Sequence, residues 1–439
     1  MSRSAMLLAV LFAWPMAPVR SAEVFVSPSG QDSASGGKDA PLKTVEAALA
    51  RAEEGDTIIL RAGAYGAFRA NKQGVAIQGA AGEGITIESP ARNGDPYAVI
   101  GVVAAKVTLR NLEIIGGAMH GVDFQAAGGI IEDCRVHDTG ADCIKCSPSS
   151  SGVIIRRCEI YNSGKNGGWA NNAEGVDNVR SDDMVLQDCY IHDIATNGAY
   201  AKGGAKDALI ERCLFMRIGL SPSVQGQGVI LGEVAGGTKD YESIDGTVRN
   251  CMFIDVAGAG VAAWGALRPK FYNNTCIDVA KSDRAAFIIL PEHKRPSKDV
   301  TFVNNIVYGS PKGNRALVWV YNGGLEGKLT MDNNLFFGGN GKFILSGGRT
   351  LNSLKDWQQA MSVDGSSIWA DPQLDKDFHL TKDSPAIGKG QLVQGLSDDY
   401  DGGKRDKDVD VGADQHDAGQ ALKIPPGRDA VGTGAKAEP

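Results

Sequence analysis

The sequence lacks the features that mark several large protein classes. Beyond residue 22 it has no apolar run long enough to span a membrane and no run of basic residues, and its formal net charge is −7. This balance argues against a nucleic-acid partner and against a membrane partner. Cys143 and Cys146 form one C-x-x-C pair, but no second pair and no histidine cluster accompanies it, so a zinc site is a poor explanation. An acidic polysaccharide remains compatible with the composition, because a local cluster of Lys and Arg can override a weak net charge.

The first 22 residues have the pattern of a secretory signal peptide. A basic residue, Arg3, precedes an apolar run from Ala5 to Pro18, and small residues follow at Ser21 and Ala22. The run is too short and too soon interrupted to be a membrane helix. We therefore predict a signal peptide over residues 1–22 and a secreted or periplasmic mature protein.

A short pattern recurs along the middle of the chain, where two residues of strand character precede Cys or Asn and an apolar stretch then ends in a turn. The successive spacings are 23, 24, 31, 24, 38, 23, 31 and 29 residues, and glycine is abundant at 57 residues. The repeated positions are Asn111, Cys134, Cys158, Cys189, Cys213, Cys251, Asn274, Asn305 and Asn334. A unit this short cannot bury its own apolar face, so the units must stack. The pattern predicts an all-β protein with a single parallel β-helix, in which one inward Cys or Asn per coil forms a ladder.

The cysteines raise the question of disulfides, since the chain is predicted to be exported. Five of the eight cysteines occupy the ladder position. Stacked at the sheet spacing of about 4.8 Å, small buried thiols are a sufficient packing explanation. We expect a mostly reduced ladder, with Cys146 in the core and Cys143 at a bend.

The remaining segments flank the coils, which we place at residues 77–343. Residues 23–76 are predicted to form an N-terminal cap and the first strands, with a helix whose apolar face begins at Val45. Residues 344–415 are predicted to form a C-terminal cap segment and residues 416–439 a disordered tail. The cap segment contains an aspartate run that is either a calcium loop or a solvated loop, consisting of Asp398, Asp399, Asp401, Asp406, Asp408 and Asp410.

A second strand of each coil carries the chemically active side chains. Five such strands can be laid over one another, namely H-G-V-D-F-Q, D-C-I-K-C-S, E-G-V-D-N-V, N-G-A-Y-A-K and Q-G-V-I-L-G. Alternation sends the third and fifth residues inward and the fourth and sixth outward, and a bend at the second position lets the first residue face outward too. The outward columns are His120, Asp142, Glu174, Asn197 and Gln227, then Asp123, Lys145, Asp177, Tyr200 and Ile230, then Gln125, Ser147, Val179 and Lys202.

Carboxylates concentrate on this face and form the candidate metal site. The predicted ligands are Asp123, Asp142, Glu174 and Asp177, and calcium is the candidate ion because it prefers oxygen ligands. Neighbouring coils bring Asp142 and Glu174 within reach of one cation and place Lys145 between Asp123 and Asp177. The alternative is a salt-bridge stack around Lys145 that only neutralises the sheet.

Lys202 is the candidate catalytic base. It points outward with no obvious carboxylate in its own column. A lysine with cationic neighbours and no partner has a lowered pKa, which suits a base near neutral pH. The alternative is an ordinary solvated lysine. Candidate residues for sugar binding on the same face are Trp264, Glu233, Asn197 and His120.

Two segments resemble known proteins. The stretch P-L-K-T-V-E-A-A-L-A-R-A-E-E-G-D-T-I-I-L-R-A-G-A-Y resembles the N-terminal cap of secreted right-handed β-helix proteins of the pectate-lyase type. The run N-G-A-Y-A-K is similar to the D-G-F-A-A-K run of the family 9 pectate lyases, in which the lysine is the catalytic base and nearby aspartates hold calcium. Gly198, Ala201 and Lys202 match that run, whereas Asn197 replaces its acidic first residue. The resemblance implies a right-handed helix and a lyase with Lys202 as its base.

Three classes of function follow from this reading. A lyase would act on a uronic-acid-containing polysaccharide by β-elimination, with Lys202 as base, a cation or Arg180 neutralising the uronate, and Tyr200 or Lys145 protonating the leaving oxygen. A glycoside hydrolase would instead use two carboxylates across the scissile bond, and an epimerase would share only the proton abstraction. The third class is a glycan-binding solenoid without catalysis. A monomer is the expected state, because the caps oppose end-to-end stacking.

Overall fold

The described part of the protein is an all-β solenoid, as predicted. The computed structural model describes residues 21–89, 97–165, 171–224, 226–233, 240–282, 284–311, 315–405 and 407–419. Most of the predicted signal peptide and the predicted tail beyond residue 419 lie outside these residues. The described strands form three sheets of 15, 12 and 12 strands.

The strands of each sheet stack along the axis of the solenoid. Sheet 1 contains Glu23–Val26, Thr57–Leu60, Ala76–Gly79, Thr108–Arg110, Ile130–Glu132, Ile154–Arg156, Val185–Gln187, Ala205–Lys206, Leu209–Glu211, Ser243–Ile244, Thr247–Arg249, Ala266–Leu267, Lys270–Tyr272, Ser297–Val303 and Leu325–Asp332. Sheet 2 contains Phe68–Ala70, Ala98–Val102, His120–Phe124, Ile144–Cys146, Val176–Val179, Ala199–Lys202, Val229–Gly232, Val261–Trp264, Ala285–Leu290, Ala316–Val320, Phe343–Leu345 and Arg349–Leu351. Sheet 3 contains Gly63–Tyr65, Ile85–Ser89, Glu113–Gly116, Arg135–His137, Glu159–Tyr161, Tyr190–Ile194, Leu214–Ile218, Met252–Val256, Thr275–Val279, Ile306–Gly309, Leu335–Gly338 and Ile368–Trp369.

Each coil passes through sheet 1, sheet 3 and sheet 2 in turn, and its strands pair in parallel with those of the next coil. The parallel pairing begins where Glu23–Val26 meets Thr57–Leu60 and ends where Leu335–Gly338 meets Ile368–Trp369. It therefore extends beyond both ends of the region 77–343 that the sequence predicts for the coils. The inward side chains of the three sheets form one continuous apolar core.

The corner between sheets 1 and 3 corrects one member of the predicted ladder. Arg110 pairs with Glu132, so Leu112, which is fully buried, lies opposite Cys134, and Asn111 lies outside the core. Asn111 instead has a φ of 56°, matching Asp133 at 55° one coil later. Asn tolerates this left-handed conformation, whereas the inward position accepts any residue of suitable size. The prediction for the tetrapeptide L-R-N-L was therefore wrong by one residue, because Leu112 and not Asn111 occupies the inward position.

The rest of the ladder lies inside the solenoid. All eight cysteines are buried and unpaired by disulfides, which confirms the reduced ladder. Asparagines continue it as a chain of hydrogen bonds: Asn305 Oδ1 accepts from the backbone N–H of Asn274 at 3.0 Å, and Asn334 Oδ1 accepts from that of Asn305 at 2.9 Å. The amide of Asn305 also donates to the Phe271 carbonyl at 3.0 Å. These bonds satisfy backbone groups that the core hides from water.

Both ends of the solenoid are closed by helices. The helix Val45–Arg51 is capped by the Thr44 side chain, which accepts from the Ala47 N–H, and buries its apolar face on the first coil. At the other end the helix Leu354–Met361 places Trp357 in a stack on Phe343, with ring centroids 5.3 Å apart. A 3-10 turn at Ser346–Gly348 joins the last two strands of sheet 2. Within the described residues, neither α-helix has the length and hydrophobicity that crossing a membrane requires.

The second part of the predicted cap segment lies along the side of the solenoid rather than over its end. We call residues 371–419 the strap. Tyr400 and Ala413 pack on Met252 and Leu214 of sheet 3, and the Asn273 amide donates to the Asp410 carbonyl at 3.1 Å. The strap thus covers the outer face of sheet 3 over several coils.

The aspartate run of the strap is not one solvated loop, although Asp408 is exposed, and calcium binding by the run stays a prediction. Asp401 lies in a group with His379 and Asp414 whose ligand atoms are within 4.8 Å of one another. Asp399, Asp401 and Asp410 are buried, and the buried Arg405 guanidinium donates to the Ala413 carbonyl at 2.6 Å and to the Gly412 carbonyl at 2.8 Å. Asp406 lies outside the described residues. The buried carboxylates have their own partners: Asp399 accepts from the Gly403 N–H and Asp410 from the Gly388 N–H, each at 2.7 Å, and Asp401 Oδ2 lies 2.8 Å from His379 Nε2.

Candidate functional site

The outer face of sheet 2 presents the columns that alternation predicts. Asp123, Lys145, Asp177 and Tyr200 are successive Cα partners on neighbouring strands. Val122, which precedes Asp123, lies in the core of the solenoid. The inward and outward assignment of these strands is confirmed.

Three carboxylates meet on this face, and we call them the carboxylate cluster: Asp142, Glu174 and Asp177. Their oxygens lie within 4.8 Å of one another, and each residue is at most 2% exposed. Glu174 Oε1 accepts from the Thr196 hydroxyl at 3.0 Å, whereas its Oε2 is buried without a partner among the described residues. An unsatisfied buried oxygen among like charges is costly and marks a site that is suited to a ligand.

Two lysines hold the cluster together. Lys145 forms an ion pair with Asp177 and lies 3.8 Å from Asp142, and Lys202 Nζ lies 3.1 Å from Asp177 Oδ1. The expectation that Lys202 has no carboxylate partner and a lowered pKa is therefore wrong. Burial opposes its charge, but Asp177 and Glu174 outweigh burial and raise the pKa of Lys202. Its Nζ also lies 3.9 Å from the centre of the Tyr200 ring.

The carboxylates differ in their tendency to ionise. Burial and then Asp142 raise the pKa of Glu174 well above its usual value, and burial with the charge of Asp177 raises that of Asp142. Burial also acts on Asp177, but Lys202 and Lys145 outweigh it and lower its pKa. The cluster thus contains one carboxylate held ionised between two lysines and two carboxylates that lack full compensation.

Several predicted site residues are not brought into the cluster. Asp123 accepts from the Gln125 amide at 2.6 Å and from the Ser147 hydroxyl at 2.8 Å, so both of its oxygens bond to groups outside the cluster. His120, by contrast, does contact the cluster: it is 2% exposed beneath Tyr97, and its Nδ1 lies 3.3 Å from Asp142 Oδ2. Burial and then Lys145 lower the pKa of His120 to about 4. Arg180 is exposed, one residue past the end of its strand.

A cleft lies beside the cluster, toward the C-terminal coils. It has a volume of about 340 Å³, and its lining includes Glu174, Asn197, Tyr200, Glu233, Trp264 and Arg284. Asn197 Nδ2 donates to the Tyr200 hydroxyl at 2.7 Å, and Asn197 Oδ1 accepts from the Gln227 N–H at 2.8 Å. The predicted residues Asn197, Glu233 and Trp264 therefore share one cleft that opens onto the cluster.

Glu233 is the most unusual residue of this cleft. Its backbone has a φ of 69°, which is uncommon for a residue with a side chain, and its Oε2 is buried without a partner in the described chain. Burial raises the pKa of Glu233 to about 7, and the Tyr200 hydroxyl acts against this rise. Burial and then Glu233 in turn raise the pKa of Tyr200 well above its usual value. Strain and an unsatisfied carboxyl together favour a functional role.

The carboxylate cluster has the donor set of a calcium site. Calcium takes six to eight oxygen ligands, and three carboxylates whose oxygens lie within 4.8 Å supply part of such a shell. The unpartnered Oε2 of Glu174 is the atom that a cation would satisfy. Lys145 and Lys202 contact the two oxygens of Asp177, so the residues fit a calcium ion once Asp177 is released from these lysines. Asp142, Glu174 and Asp177 would then be its ligands.

The sequence did not point to two of the residues that shape this site. Thr196 orients Glu174, and Arg284 lies 5.9 Å from the Trp264 ring. Both come from the segments between strands, where no alternation indicates the direction of a side chain. Overlaying further coils of the same sheet was the available signal for Arg284, which directly precedes the strand Ala285–Leu290.

Comparison with known families and sequences gives two matches. Residues 24–278 match the family described as "Pel9A-like, right handed beta helix region". A curated relative, pectate lyase PEL9 of Emericella nidulans, is 42% identical over 65 residues, which is 15% of this chain and 15% of that protein. The chain thus matches well under two thirds of that relative's length.

Solved structures share the fold. Pectate lyase Pel9A has a TM-score of 0.59 at 16% identity, covering 90% of this chain and 96% of its own. A rhamnogalacturonan lyase has a TM-score of 0.58 at 16% identity over 72% of this chain and 87% of its own. XylC in complex with xylose has a TM-score of 0.56 at 12% identity, with 89% and 98% covered. At these identities the likeness concerns the fold alone.

Proposed function

Because this chain belongs to the Pel9A-like right-handed β-helix family, we propose that it is a polysaccharide lyase that cleaves a uronic-acid-containing polymer by β-elimination. The observation that carries the proposal is the carboxylate cluster with Lys202 beside it: Lys202 Nζ lies 3.1 Å from Asp177, on the same open face as the cleft. The pectate lyase that the chain resembles over 65 residues supports the substrate class. The family also supports the right-handed sense of the helix.

Lys202 is the base in this proposal. It removes the C5 proton of a uronate, the electron pair forms the C4–C5 double bond, and the C4–O bond breaks. Lys202 must first give up its own proton, and separation from Asp177 removes the charge that raises its pKa. Lys202 is replaced at that carboxylate when Asp177 holds a cation, which offsets the charge that raises the lysine pKa, so that Lys202 can release its proton to solvent.

Asp142, Glu174 and Asp177 would hold a calcium ion, and Asp177 would do so in place of its contacts with Lys145 and Lys202. When bound, the ion supplies positive charge that neutralises the uronate carboxylate and so acidifies the C5 proton. Asp123 is not proposed as a ligand, because its oxygens are bound to Gln125 and Ser147. Arg180 remains a candidate for the same neutralisation only through movement toward the cleft, since its place is at the exposed end of its strand.

The leaving oxygen needs a proton, and three groups of this face hold one. Tyr200 is protonated, because burial and Glu233 raise its pKa well above the usual value. Lys145 is protonated as well, since its carboxylate neighbours outweigh burial and raise its pKa. Glu233 has a pKa of about 7 and lines the cleft. Tyr200 has the better position, because it lines the cleft together with Glu233, which can return its proton.

The proposal is tested by ultraviolet absorbance of the unsaturated uronate during incubation with polygalacturonate and alginate. Lys202→Ala should abolish the rise in absorbance, while Lys298→Ala, an exposed lysine paired with Glu326 on sheet 1, should not change it. Cleavage that persists in Lys202→Ala contradicts the role of the lysine. Release of reducing ends without absorbance contradicts elimination.

The calcium site has a test that does not depend on turnover. Ligand binding to the folded state alone raises the melting temperature. We expect calcium to raise the melting temperature of the wild type and to lose this effect in Glu174→Gln, whereas Asp123→Asn should keep it. An equal response of the wild type and Glu174→Gln contradicts the ligand set.

One observation favours a second candidate function. Glu233 is a cleft carboxyl with a pKa of about 7, and a carboxyl that stays protonated near neutral pH suits the acid of a glycoside hydrolase. The hydrolase predicts saturated products, full dependence on Glu233 and none on Lys202. The epimerase predicts Lys202-dependent proton exchange without cleavage, and a glycan-binding protein predicts neither.

The remaining expectations stay predictions. Secretion or a periplasmic location follows from residues 1–22, and the monomeric state follows from the two closed ends of the solenoid. The acidic polysaccharide is the partner that the proposed reaction requires.

A further inference from the structure

A second recess lies on the same face of sheet 2, on the other side of the carboxylate cluster. It has a volume of about 250 Å³ and is lined by Ala67, Phe68, Arg69, Tyr97, Ala98, Gly101 and Gln125. Gln125 bonds to Asp123, and the Tyr97 ring packs edge-on against His120 with centroids 4.9 Å apart. The recess is therefore continuous with the columns that carry the proposed reaction.

The recess exists because glycine occupies one position of an outward column. Arg69, Gly101 and Asp123 are successive Cα partners, so the floor between a cation and a carboxylate carries no side chain. A Cβ placed on Gly101 would meet only the Arg69 Cγ, at 3.8 Å, which is ordinary van der Waals contact. The space is thus open and can be filled without moving the backbone.

The lining has the chemistry of an acidic sugar site. Arg69 is exposed, and its guanidinium has no hydrogen-bond or ion-pair partner among the described residues. Tyr97 is 52% exposed and offers a flat apolar ring. The lining contains one cation and no carboxylate, in contrast to the neighbouring cluster. A guanidinium binds a carboxylate through two parallel hydrogen bonds, and an aromatic ring packs on the apolar face of a sugar.

We propose that this recess, formed by Arg69, Tyr97 and Gly101, is a subsite for a uronate residue of the polysaccharide, separate from the residue that is cleaved. The inference rests on the proposed function for the identity of the polymer. Arg69 lies four strands from Asp177 in the same column, which corresponds to about 19 Å at the sheet spacing. The bound polymer therefore runs along the solenoid across several coils, with one acidic sugar held at Arg69.

The test measures binding of a galacturonate hexamer, which is long enough to reach from Arg69 to the cluster, by calorimetry to the Lys202→Ala protein, in which turnover is absent. Two substitutions are added to it: Arg69→Gln removes the charge, and Gly101→Val fills the floor. Each should weaken binding at least about tenfold, as expected for one lost charge-assisted contact. Arg349→Gln, an exposed arginine at the far end of sheet 2, is the matched control and should leave binding unchanged. A neutral galactose hexamer should bind more weakly than the galacturonate hexamer.

The outcomes separate this inference from the proposed function. No binding by the parent protein, or equal binding by Arg69→Gln and Arg349→Gln, overturns the subsite. Polygalacturonate cleavage that needs Lys202 but not Arg69 also overturns it, and leaves the lyase intact. Arg69-dependent binding by a wild type that cleaves none of the polymers supports the subsite and overturns the lyase. Melting temperatures within a few degrees of the parent show that the variants fold.

Discussion

At the scale of single residues, the inward ladder contains two kinds of side chain with unequal effects on stability. Asn305 accepts from the Asn274 N–H and donates to the Phe271 and Val303 carbonyls, each at 3.0 Å. Cys213 makes only weak contacts, such as its thiol with the Leu186 carbonyl at 3.6 Å. The asparagine side chain forms hydrogen bonds with buried backbone groups. At a cysteine position these groups depend on the hydrogen bonds between the strands.

We therefore predict that Asn305→Ala lowers the free energy of unfolding by about 3 kcal/mol, because several buried polar groups lose their partners. Cys213→Ala should lower it by about 1 kcal/mol, since it removes one small apolar group. Urea denaturation of both variants measures the difference. Equal losses would show that the asparagine hydrogen bonds add nothing to packing.

Glu233 gives a second prediction at this scale. Its pKa is raised from 4.5 to about 7 in the folded state, so its contribution to stability is present at low pH and is lost as the pH rises from 4.5 through 7. Glu233→Gln does not titrate, and it should gain on the order of 2 kcal/mol relative to the wild type between pH 4.5 and pH 8. Melting curves at the two pH values measure this gain. A difference between the two proteins that does not change with pH would mean that the carboxyl ionises normally.

Side-chain directions followed from the sequence, but side-chain partners did not. Alternation with a period of two predicted that Asp177 and Lys202 face outward, and they do. The pairing of Asp177 with Lys202 was not predicted, because only residues within one column were compared. The neighbour of Lys202 in its own column is Val179. A lysine side chain is long enough to cross from one column to the next. The partner therefore depends on its rotamer, which the pattern does not contain.

At the scale of elements, the strap depends on buried charges more than on regular structure. His379 Nε2 lies 2.8 Å from Asp401 Oδ2, and this hydrogen bond raises the pKa of His379 to about 9. Nearby, Asp414 accepts from the Leu380 N–H at 2.7 Å. Carboxylates thus hold the parts of the strap together, and the apolar contacts of Tyr400 hold the strap against sheet 3.

The raised pKa of His379 makes the strap sensitive to alkaline pH. Its stabilising effect is complete below pH 6.5 and is lost as the pH rises through 9. His379→Gln should therefore lower stability by on the order of 2 kcal/mol at pH 6 and by much less at pH 10. Thermal melts of the two proteins at both pH values check this. A loss that is equal at pH 6 and pH 10 would assign His379 a role in packing only.

The strap was also the element that the sequence described least well. Its aspartates and glycines follow neither the period of a strand nor that of a helix, so the prediction for this segment rested on its composition alone. A terminal segment of a solenoid was expected to cover the open end, but the helix Leu354–Met361 already does so. The apolar residues of sheet 3, such as Leu214 and Met252, then leave a surface along the side for the strap.

At the scale of the whole molecule, the fold could be predicted from the sequence because its structural unit repeats. Nearly equal spacings of one polar or thiol residue, short strands and frequent glycines leave a parallel β-helix as the way to bury the apolar faces. The candidate site was readable in part, since stacking coils turns separate strands into columns and brings Asp142, Glu174 and Asp177 together. The cleft and the recess could not be predicted, because the segments from sheet 3 to sheet 2, which contribute Asn171, Ser223 and Tyr97 to their linings, vary in length.

The same arrangement places all the proposed sites on one face of the solenoid. The recess at Arg69, the carboxylate cluster and the cleft at Trp264 follow one another along the outer face of sheet 2. A polymer laid along this face meets a cation, the proposed base and an aromatic ring in turn. The rigid stack of coils fixes the distances between them.

The most direct test of the lyase assignment is the mass of the products that the purified protein releases from a defined galacturonate oligomer. Elimination adds no water, so the masses of the two products should sum to that of the substrate, and Lys202→Ala should release none. If the masses of the two products sum to that of the substrate plus one water, and the Lys202→Ala protein still forms them, the account is contradicted and the protein is a hydrolase.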